Sequence, residues 1–131
     1  MANNKYKILL VEDDDNIRNF VNTTLESDGY YTIVAKKCSE AITMFYSYTP
    51  DLVILDLGLP DRDGMEFIKD VRKNNITPII VLSARTDDSD KVLALDSGAN
   101  DYVTKPFNPL ELVARVKSQI RRYTQFGNAA M

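Results

Sequence analysis

Three short, wholly apolar segments constrain the fold of this chain more than any other feature. They are ILLV at residues 8–11, LVIL at 52–55 and IIVL at 79–82, and each is followed by an acidic residue or a serine. Strands that are apolar on both faces are typical of the middle of a parallel sheet with helices on both sides. The pattern therefore predicts a parallel sheet that is buried on both faces.

Segments with helical spacing lie between these strands, and each predicts a helix with one face against the sheet. Their apolar residues are Ile17, Phe20, Val21 and Leu25; Ala41, Ile42, Phe45 and Tyr48; Met65, Ile68 and Val71; Val92 and Leu95; and Leu112, Val113, Val116 and Ile120. Turn residues at 28–29 and 98–100 precede a second and a fifth strand. Five strands alternating with five helices predict one doubly wound, flavodoxin-like (βα)5 α/β domain with strand order 2-1-3-4-5.

Length and composition exclude several classes of function. The 131 residues fit one domain, which we place at 1–123, and the small, polar stretch 124–131 is interpreted as a linker stub or frayed end. A net charge of −3 argues against a surface that coats nucleic acid. The chain has no histidine and one cysteine, Cys38, which excludes zinc-site patterns. Without a signal peptide or an apolar segment of membrane-spanning length, we expect a cytoplasmic protein that does not enter the membrane.

Acidic residues follow the first and third strands. Glu12 and Asp13 open the acidic run 12–15, and Asp56 follows LVIL. In an open α/β sheet, ligands bind where the strand order reverses, here between strands one and three. Carboxylates about 4 Å apart repel by roughly 4 kcal/mol at an effective dielectric constant near 20, so a divalent cation would relieve the cluster. All-oxygen ligands favour Mg²⁺, with Mn²⁺ as the alternative.

Two further side chains complete this predicted cleft. Ser83 ends the fourth strand and Lys105 follows the fifth, so a hydroxyl and an ammonium group could hold the oxygens of a phosphoryl group. Asp56 is then the candidate nucleophile, and phosphoaspartate is the expected covalent product.

The motifs that carry this chemistry resemble the receiver domains of bacterial two-component response regulators, over about residues 5–123. They are VEDD at 11–14, LDLGLPDRDG at 55–64, LSA at 82–84 and DYVTKPF at 101–107. The resemblance implies that Asp56 is the phospho-acceptor and that Ser83 and Lys105 hold the phosphoryl oxygens. It implies metal ligation by Asp13 and Asp56 directly, by Glu12 largely through water, and by the backbone carbonyl of Gly58.

The same resemblance implies how the domain is used. Tyr102 would be the switch aromatic, moving with Ser83 on phosphorylation, and the Lys105–Pro106 peptide bond would be cis. The phosphoryl donor would be a sensor histidine kinase. The domain would be regulatory rather than an enzyme, although it would take part in its own phosphorylation and dephosphorylation.

A face of charged residues resembles the dimer surface of OmpR/PhoB-type regulators, formed by the fourth helix, fifth strand and fifth helix. By that resemblance, phosphorylation would produce a homodimer paired through Lys91 with Glu111, Asp101 with Arg115, and Asp96 with Lys117. LDLGLPDRDG and LSAR are most similar to the potassium-responsive KdpE type, which implies a winged-helix DNA-binding domain outside this chain. Two residues depart from the pattern: Asn100 stands where Asp is frequent, and Arg85 lies beside the predicted cleft.

Alternative interpretations remain open from the residues alone. The acids at 13–15 are suited to capping a helix, and Asp61 and Asp63 to a turn and a helix cap. The charged residues of the last two helices are also compatible with a solvated surface. A flavodoxin-like cofactor binder would need a phosphate-cradling loop where this chain has EDDD. A Mg²⁺-dependent phosphohydrolase would need an acid two residues after the nucleophile, where this chain has Gly58.

Overall fold

The computed structural model of the chain describes residues 6–124 and contains one five-stranded sheet with helices on both faces. The elements are β1 (Lys7–Val11), α1 (Asp15–Ser27), β2 (Tyr31–Ala35), α2 (Cys38–Tyr48), β3 (Leu52–Leu55), α3 (Met65–Arg72), β4 (Ile79–Ser83), α4 (Asp88–Ser97), β5 (Asp101–Thr104) and α5 (Pro109–Arg122). All neighbouring strands are parallel, in the order β2-β1-β3-β4-β5. The predicted doubly wound fold is confirmed.

The three apolar runs form the centre of the sheet, as their composition predicts. β3 and β4 are buried throughout, and β1 is buried from Ile8 onward. Successive side chains point to opposite faces of a strand, so Leu9 and Val53 belong to the layer under α2, α3 and α4. Ile8 and Leu52 belong to the layer under α1 and α5. A run without polar residues is therefore what a sheet covered on both faces requires.

The prediction that α4 packs inward through Val92 and Leu95 is wrong. Val92 and Leu95 are 56% and 46% exposed, and Ala94 is the buried residue of this helix. Two other predicted inward residues are also exposed, Phe20 at 50% and Tyr48 at 46%. α4 packs against α3 and the edge strand β5, so it has less sheet to cover than a central helix. The four apolar residues of this ten-residue helix, Val92 to Leu95, are consecutive and point to all sides of it, so they did not determine which side faces inward.

Residues 1–5 and 125–131 lie outside the described residues. The segment interpreted as a linker stub or frayed end, 124–131, therefore falls outside the structure except for Thr124, whose hydroxyl donates to the carbonyl of Ile120 at 2.9 Å. Within 6–124, no helix combines the length and the apolar character that a membrane span needs.

Candidate functional site

Strand register brings the predicted acids together at the carboxyl end of the sheet. Val11 and Leu55 are paired across β1 and β3, and the N–H of Asp56 donates to the carbonyl of Val11 at 2.9 Å. The next residues along each strand, Glu12 and Asp56, are consequently neighbours. One carboxylate oxygen from each of Glu12, Asp13 and Asp56 lies within 4.8 Å of the others. The cleft lies where the strand order reverses, as the sequence predicts.

Lys105, in the loop after the edge strand β5, reaches into this cleft. Its Nζ lies 2.9 Å from Glu12 Oε1 and 3.6 Å from Asp56 Oδ2. Its backbone N–H donates to the carbonyl of Ser83 at 2.8 Å, which fixes the loop after β5 beside the end of β4. The Lys105–Pro106 peptide bond is cis, as expected. One ammonium group thus lies against two of the three carboxylates.

Glu12 is the most buried carboxylate of the cleft. Its residue is 1% exposed, and burial, reinforced by the charge of Asp56, raises its pKa. The ammonium of Lys105 and the N–H of Asp14, which donates to Oε2 at 3.2 Å, act in the opposite direction without cancelling the rise. An oxygen-only cluster of three carboxylates, with Glu12 and Asp56 buried and Asp13 exposed, fits a hard divalent cation such as Mg²⁺.

The other predicted site residues lie on or just after β3, β4 and β5. Gly58 donates its N–H to Asp56 Oδ1 at 3.3 Å. Ser83 is buried, and its Oγ accepts the N–H of Arg85 at 3.0 Å. The hydroxyl of Tyr102 donates to the carbonyl of Arg85 at 2.9 Å, with its ring packed against the apolar layer beneath α3. The segment after β4 therefore connects the serine of the cleft to the tyrosine on β5.

Arg85 and the two acids of LPDRDG have structural partners. Arg85 Nη1 lies 3.2 Å from Asp63 Oδ2, so this arginine bridges the segments that follow β3 and β4. Asp63 Oδ1 accepts the N–H of Met65, the first residue of α3, at 3.0 Å, while Gly64 occupies the N-cap position. Asp61 accepts the N–H groups of Cys38 and Ser39 at 2.8 and 3.0 Å.

The cap that Asp61 supplies to α2 was missed by sequence reasoning. The N–H groups of Ser39 and Cys38 lower the pKa of Asp61 to about 2. The residue at the N-cap position, Lys37, makes no side-chain cap bond. A lysine at a helix start, where Ser, Thr, Asp or Asn is preferred, was the signal that the cap had to come from elsewhere.

Some of the residues predicted to form the charged dimer face lie together, and others do not. Arg115 Nη1 lies 2.9 Å from Asp101 Oδ1, and its Nη2 lies 2.8 Å from Glu111 Oε2, all within the chain. Lys117 is separated from this face because its Nζ pairs with Asp28 at the end of α1, at 3.3 Å. Residues 111, 115 and 122 fall on one side of a 3.6-residue helix, whereas residue 117 does not. Arg122, which lines the same hollow as Asp101 and Arg115, was missed.

The remaining residues of that face lie on or beside α4. Lys91 is half-buried and Asp96 is exposed. Asn100, which stands where Asp is frequent in the family pattern, has a structural role: its Oδ1 accepts the N–H of Ile79 at 2.9 Å and Arg72 Nη2–H at 2.8 Å. An amide oxygen is enough for both bonds, so the carboxylate charge is not needed to hold this turn.

Comparison with known proteins agrees with this geometry. Two curated relatives are the KDP operon transcriptional regulatory protein KdpE of Escherichia coli, 49% identical over 117 residues, and the regulatory protein VanRc of Enterococcus gallinarum, 42% identical over 123 residues. The matches cover 89% and 94% of this chain but 52% and 53% of the relatives, so the chain spans about half their length.

A solved structure gives the same result for the fold. The BeF3-activated N-terminal receiver domain of RstA from Klebsiella pneumoniae superposes with a TM-score of 0.85 at 33% identity, covering 88% of this chain and 98% of that one. Residues 8–117 match the response regulator receiver domain family. The chain therefore belongs to the response regulator receiver domains of two-component systems and is KdpE-like among them.

Proposed function

We propose that this domain accepts a phosphoryl group on Asp56 from a phosphohistidine of a sensor histidine kinase. The observation that carries the proposal is the convergence of Glu12, Asp13 and Asp56 on one point, with Lys105 against two of them. Glu12, Asp13, Asp56 and the carbonyl of Gly58 would hold Mg²⁺. The ion would supply positive charge opposite the phosphoryl oxygens.

The transfer is a displacement at phosphorus. A carboxylate oxygen of Asp56 forms a P–O bond while the P–N bond to the donor imidazole breaks, and the imidazole keeps the electron pair and takes up a proton from water. Lys105 lies 3.6 Å from Asp56 Oδ2, close enough to neutralise negative charge on a transferred oxygen. Ser83 can donate its hydroxyl to another oxygen. Three carboxylates beside one ammonium group give the cleft a negative charge, which explains why the reaction would require Mg²⁺.

Intact mass spectrometry after incubation with acetyl phosphate and Mg²⁺ tests the acceptor. Wild type and Asp70→Asn, which changes an aspartate on α3 away from the cleft, are expected to gain one phosphoryl group. Asp56→Asn is expected to gain none, and addition of a chelator should abolish labelling of wild type. Equal labelling of Asp56→Asn would contradict the proposal.

We further propose that phosphorylation acts through Ser83 and Tyr102 on the face formed by α4, β5 and α5, and that this face forms a homodimer. Two observations support this: Tyr102 is bonded to the segment that begins at Ser83, and α4 exposes apolar residues, including Val92 and Leu95, beside Lys91. On α5, Arg122 takes the place first assigned to Lys117, because it lines the hollow with Asp101 and Arg115.

Light scattering with size-exclusion chromatography tests the dimer. Beryllofluoride with Mg²⁺ is expected to convert wild type from monomer to dimer. Arg122→Glu should remain monomeric, whereas the matched change Lys117→Glu, on the other side of α5, should dimerise like wild type. A dimer of Arg122→Glu that is as stable as that of wild type would count against this face.

Transcriptional output is proposed to belong to a winged-helix DNA-binding domain outside this chain. The support is that the chain covers about half of KdpE, which is described as a transcriptional regulatory protein. A net charge of −3 also gives the domain itself little affinity for DNA. Electrophoretic mobility shifts with the isolated domain should accordingly show no sequence-specific complex, with or without phosphorylation.

A further inference from the structure

A buried arginine, bonded to the backbone of two cleft residues, is not used by the phosphorylation chemistry. Arg18, in the first turns of α1, is 8% exposed. Its Nη1–H groups donate to the carbonyls of Glu12 at 3.1 Å and Asp13 at 3.4 Å, and Nη2 lies 2.5 Å from Asp15 Oδ1. Arginine is rarely buried unless its charge is paired and its donors are bonded. Here the guanidinium group bonds to residues 12, 13 and 15, which belong to one short segment.

The two carbonyls that Arg18 contacts belong to Glu12 and Asp13, the residues whose carboxylates face the candidate metal site. Both lie beyond Val11, the last residue of β1. The position of each carboxylate depends on the orientation of its own peptide unit. Arg18 therefore holds the backbone of two candidate ligands.

We propose that Arg18 is a positioning residue for the divalent cation: it fixes the peptide groups of Glu12 and Asp13 so that their carboxylates converge with that of Asp56. This inference rests on the proposed function, because it assumes that the cleft holds Mg²⁺. Partners that orient metal ligands without touching the metal typically change metal affinity by about 10- to 100-fold when they are removed.

The positive charge of Arg18 allows its orienting effect on the ligands to be distinguished from its electrostatic effect on Mg²⁺. Removing a positive charge near a cation site would, by electrostatics alone, strengthen binding of Mg²⁺. Removing the hydrogen bonds that orient the ligands would weaken it. The two effects have opposite signs, so the direction of the change in affinity for Arg18→Met identifies which of them dominates.

A second arginine, Arg72, is half-buried and provides a matched control. Arg72 donates to the carbonyls of Gly98 and Asn75 at 2.9 and 3.1 Å and to Asn100 Oδ1 at 2.8 Å. Like Arg18, it connects a helix to backbone carbonyls, but its partners are in the segments that follow α3 and α4 rather than in the cleft. Arg72→Met should therefore lower stability without changing the affinity for Mg²⁺.

The experiment is a calorimetric titration of the whole chain with MgCl₂, well below the melting temperature of every variant, together with urea unfolding. Arg18→Met is expected to bind Mg²⁺ about tenfold more weakly than wild type. Arg18→Lys keeps the charge but cannot bridge two carbonyls and a carboxylate with a planar fork, so it should also bind more weakly. Arg72→Met should unfold at lower urea concentration and bind Mg²⁺ within about twofold of wild type.

Unchanged or tighter binding by Arg18→Met would overturn the inference. So would an equal loss of affinity in Arg18→Met and Arg72→Met, because general loosening of the fold would then explain both. Failure of wild type itself to bind Mg²⁺ at millimolar concentrations would overturn the proposed function and this inference together. Normal binding by wild type and Arg18→Met alike would overturn only the inference.

Discussion

The neighbouring helices α3 and α4 cover the same face of the sheet but are attached to it differently. α3 buries four of its eight residues, among them Phe67 and Ile68. α4 has ten residues and buries only Ala94, while Val92 and Leu95 are about half exposed. Apolar burial therefore holds α3 in place and contributes little to holding α4.

Polar contacts at the carboxyl end of α4 provide much of its attachment. Arg72 Nε–H donates to the carbonyl of Gly98 at 2.9 Å, and Arg72 also bonds Asn100. A helix held at one end can change position without exposing a large apolar area, which is a property that elements moving in regulation share. The contrast suggests why α4, and not α3, would carry a phosphorylation-dependent change to the surface.

The largest expected effect is a difference between the two helices in how far a substitution lowers the free energy of unfolding. Phe67→Ala is expected to lower the free energy of unfolding by about 3 to 5 kcal/mol, because it leaves a cavity beneath α3. Leu95→Ala, on the exposed side of α4, should change it by less than about 1 kcal/mol. Urea unfolding followed by circular dichroism measures both. Equal losses would mean that α4 is as tightly packed as α3.

The attachment of α4 can be broken at Gly98. This residue has φ of 120°, and a Cβ there would lie 2.7 Å from Cγ of Arg72. Gly98→Ala is expected to cost about 1 to 3 kcal/mol from backbone strain, with the collision adding to it. In an Arg72→Ala background the substitution should cost less, because alanine lacks the Cγ, Cδ and Nε atoms that the added Cβ would meet. A double-mutant cycle in urea that shows no coupling would contradict the role assigned to Arg72.

The sequence predicted the sheet and the cleft far better than the placement of α4. Runs such as LVIL favour a strand buried on both faces, and Asp56 then follows a central strand. Val92 and Leu95 have helical spacing, but Leu93 and Ala94 between them are also apolar, so the pattern did not indicate which side faces inward. The partners of Lys117 and Asp61 could not be predicted, because Asp28 and Cys38 are distant in sequence and are brought near only by tertiary packing.

Hydrogen exchange can sharpen the comparison between the helices. On addition of beryllofluoride and Mg²⁺, amide exchange rates in α4 are expected to change by about five- to tenfold, the range of ordinary allosteric coupling. Rates in α3 should change less, because its apolar face keeps it fixed. Mass spectrometry of peptic peptides covering 65–72 and 88–97 provides the measurement. Asp56→Asn serves as the control and should show neither change.

The smallest effect concerns the loop that leads into α3, which Asp61 anchors to α2. Because the N–H groups of Ser39 and Cys38 lower the pKa of Asp61 from 3.8 to about 2, its contribution to stability is present above pH 3.8 and is lost as the pH falls towards 2. Asp61→Asn should lower the melting temperature by roughly 3 °C at pH 7. The difference from wild type should shrink between pH 4 and 2 in thermal scans, and a constant difference would show that the carboxylate charge is not involved.

The cap on α2 also has a consequence for the order in which the chain acquires structure. The carboxylate that completes the first turn of α2 lies 22 to 23 residues further along the chain, beyond the whole of β3. A nascent chain that has been synthesised only as far as the end of α2 lacks this cap. Its first turn can become fully bonded only after β3 has paired beside β1 and the following loop has closed over it. Residues 38–61 should therefore mature as one cooperative segment, in which a helix start depends on a non-local contact.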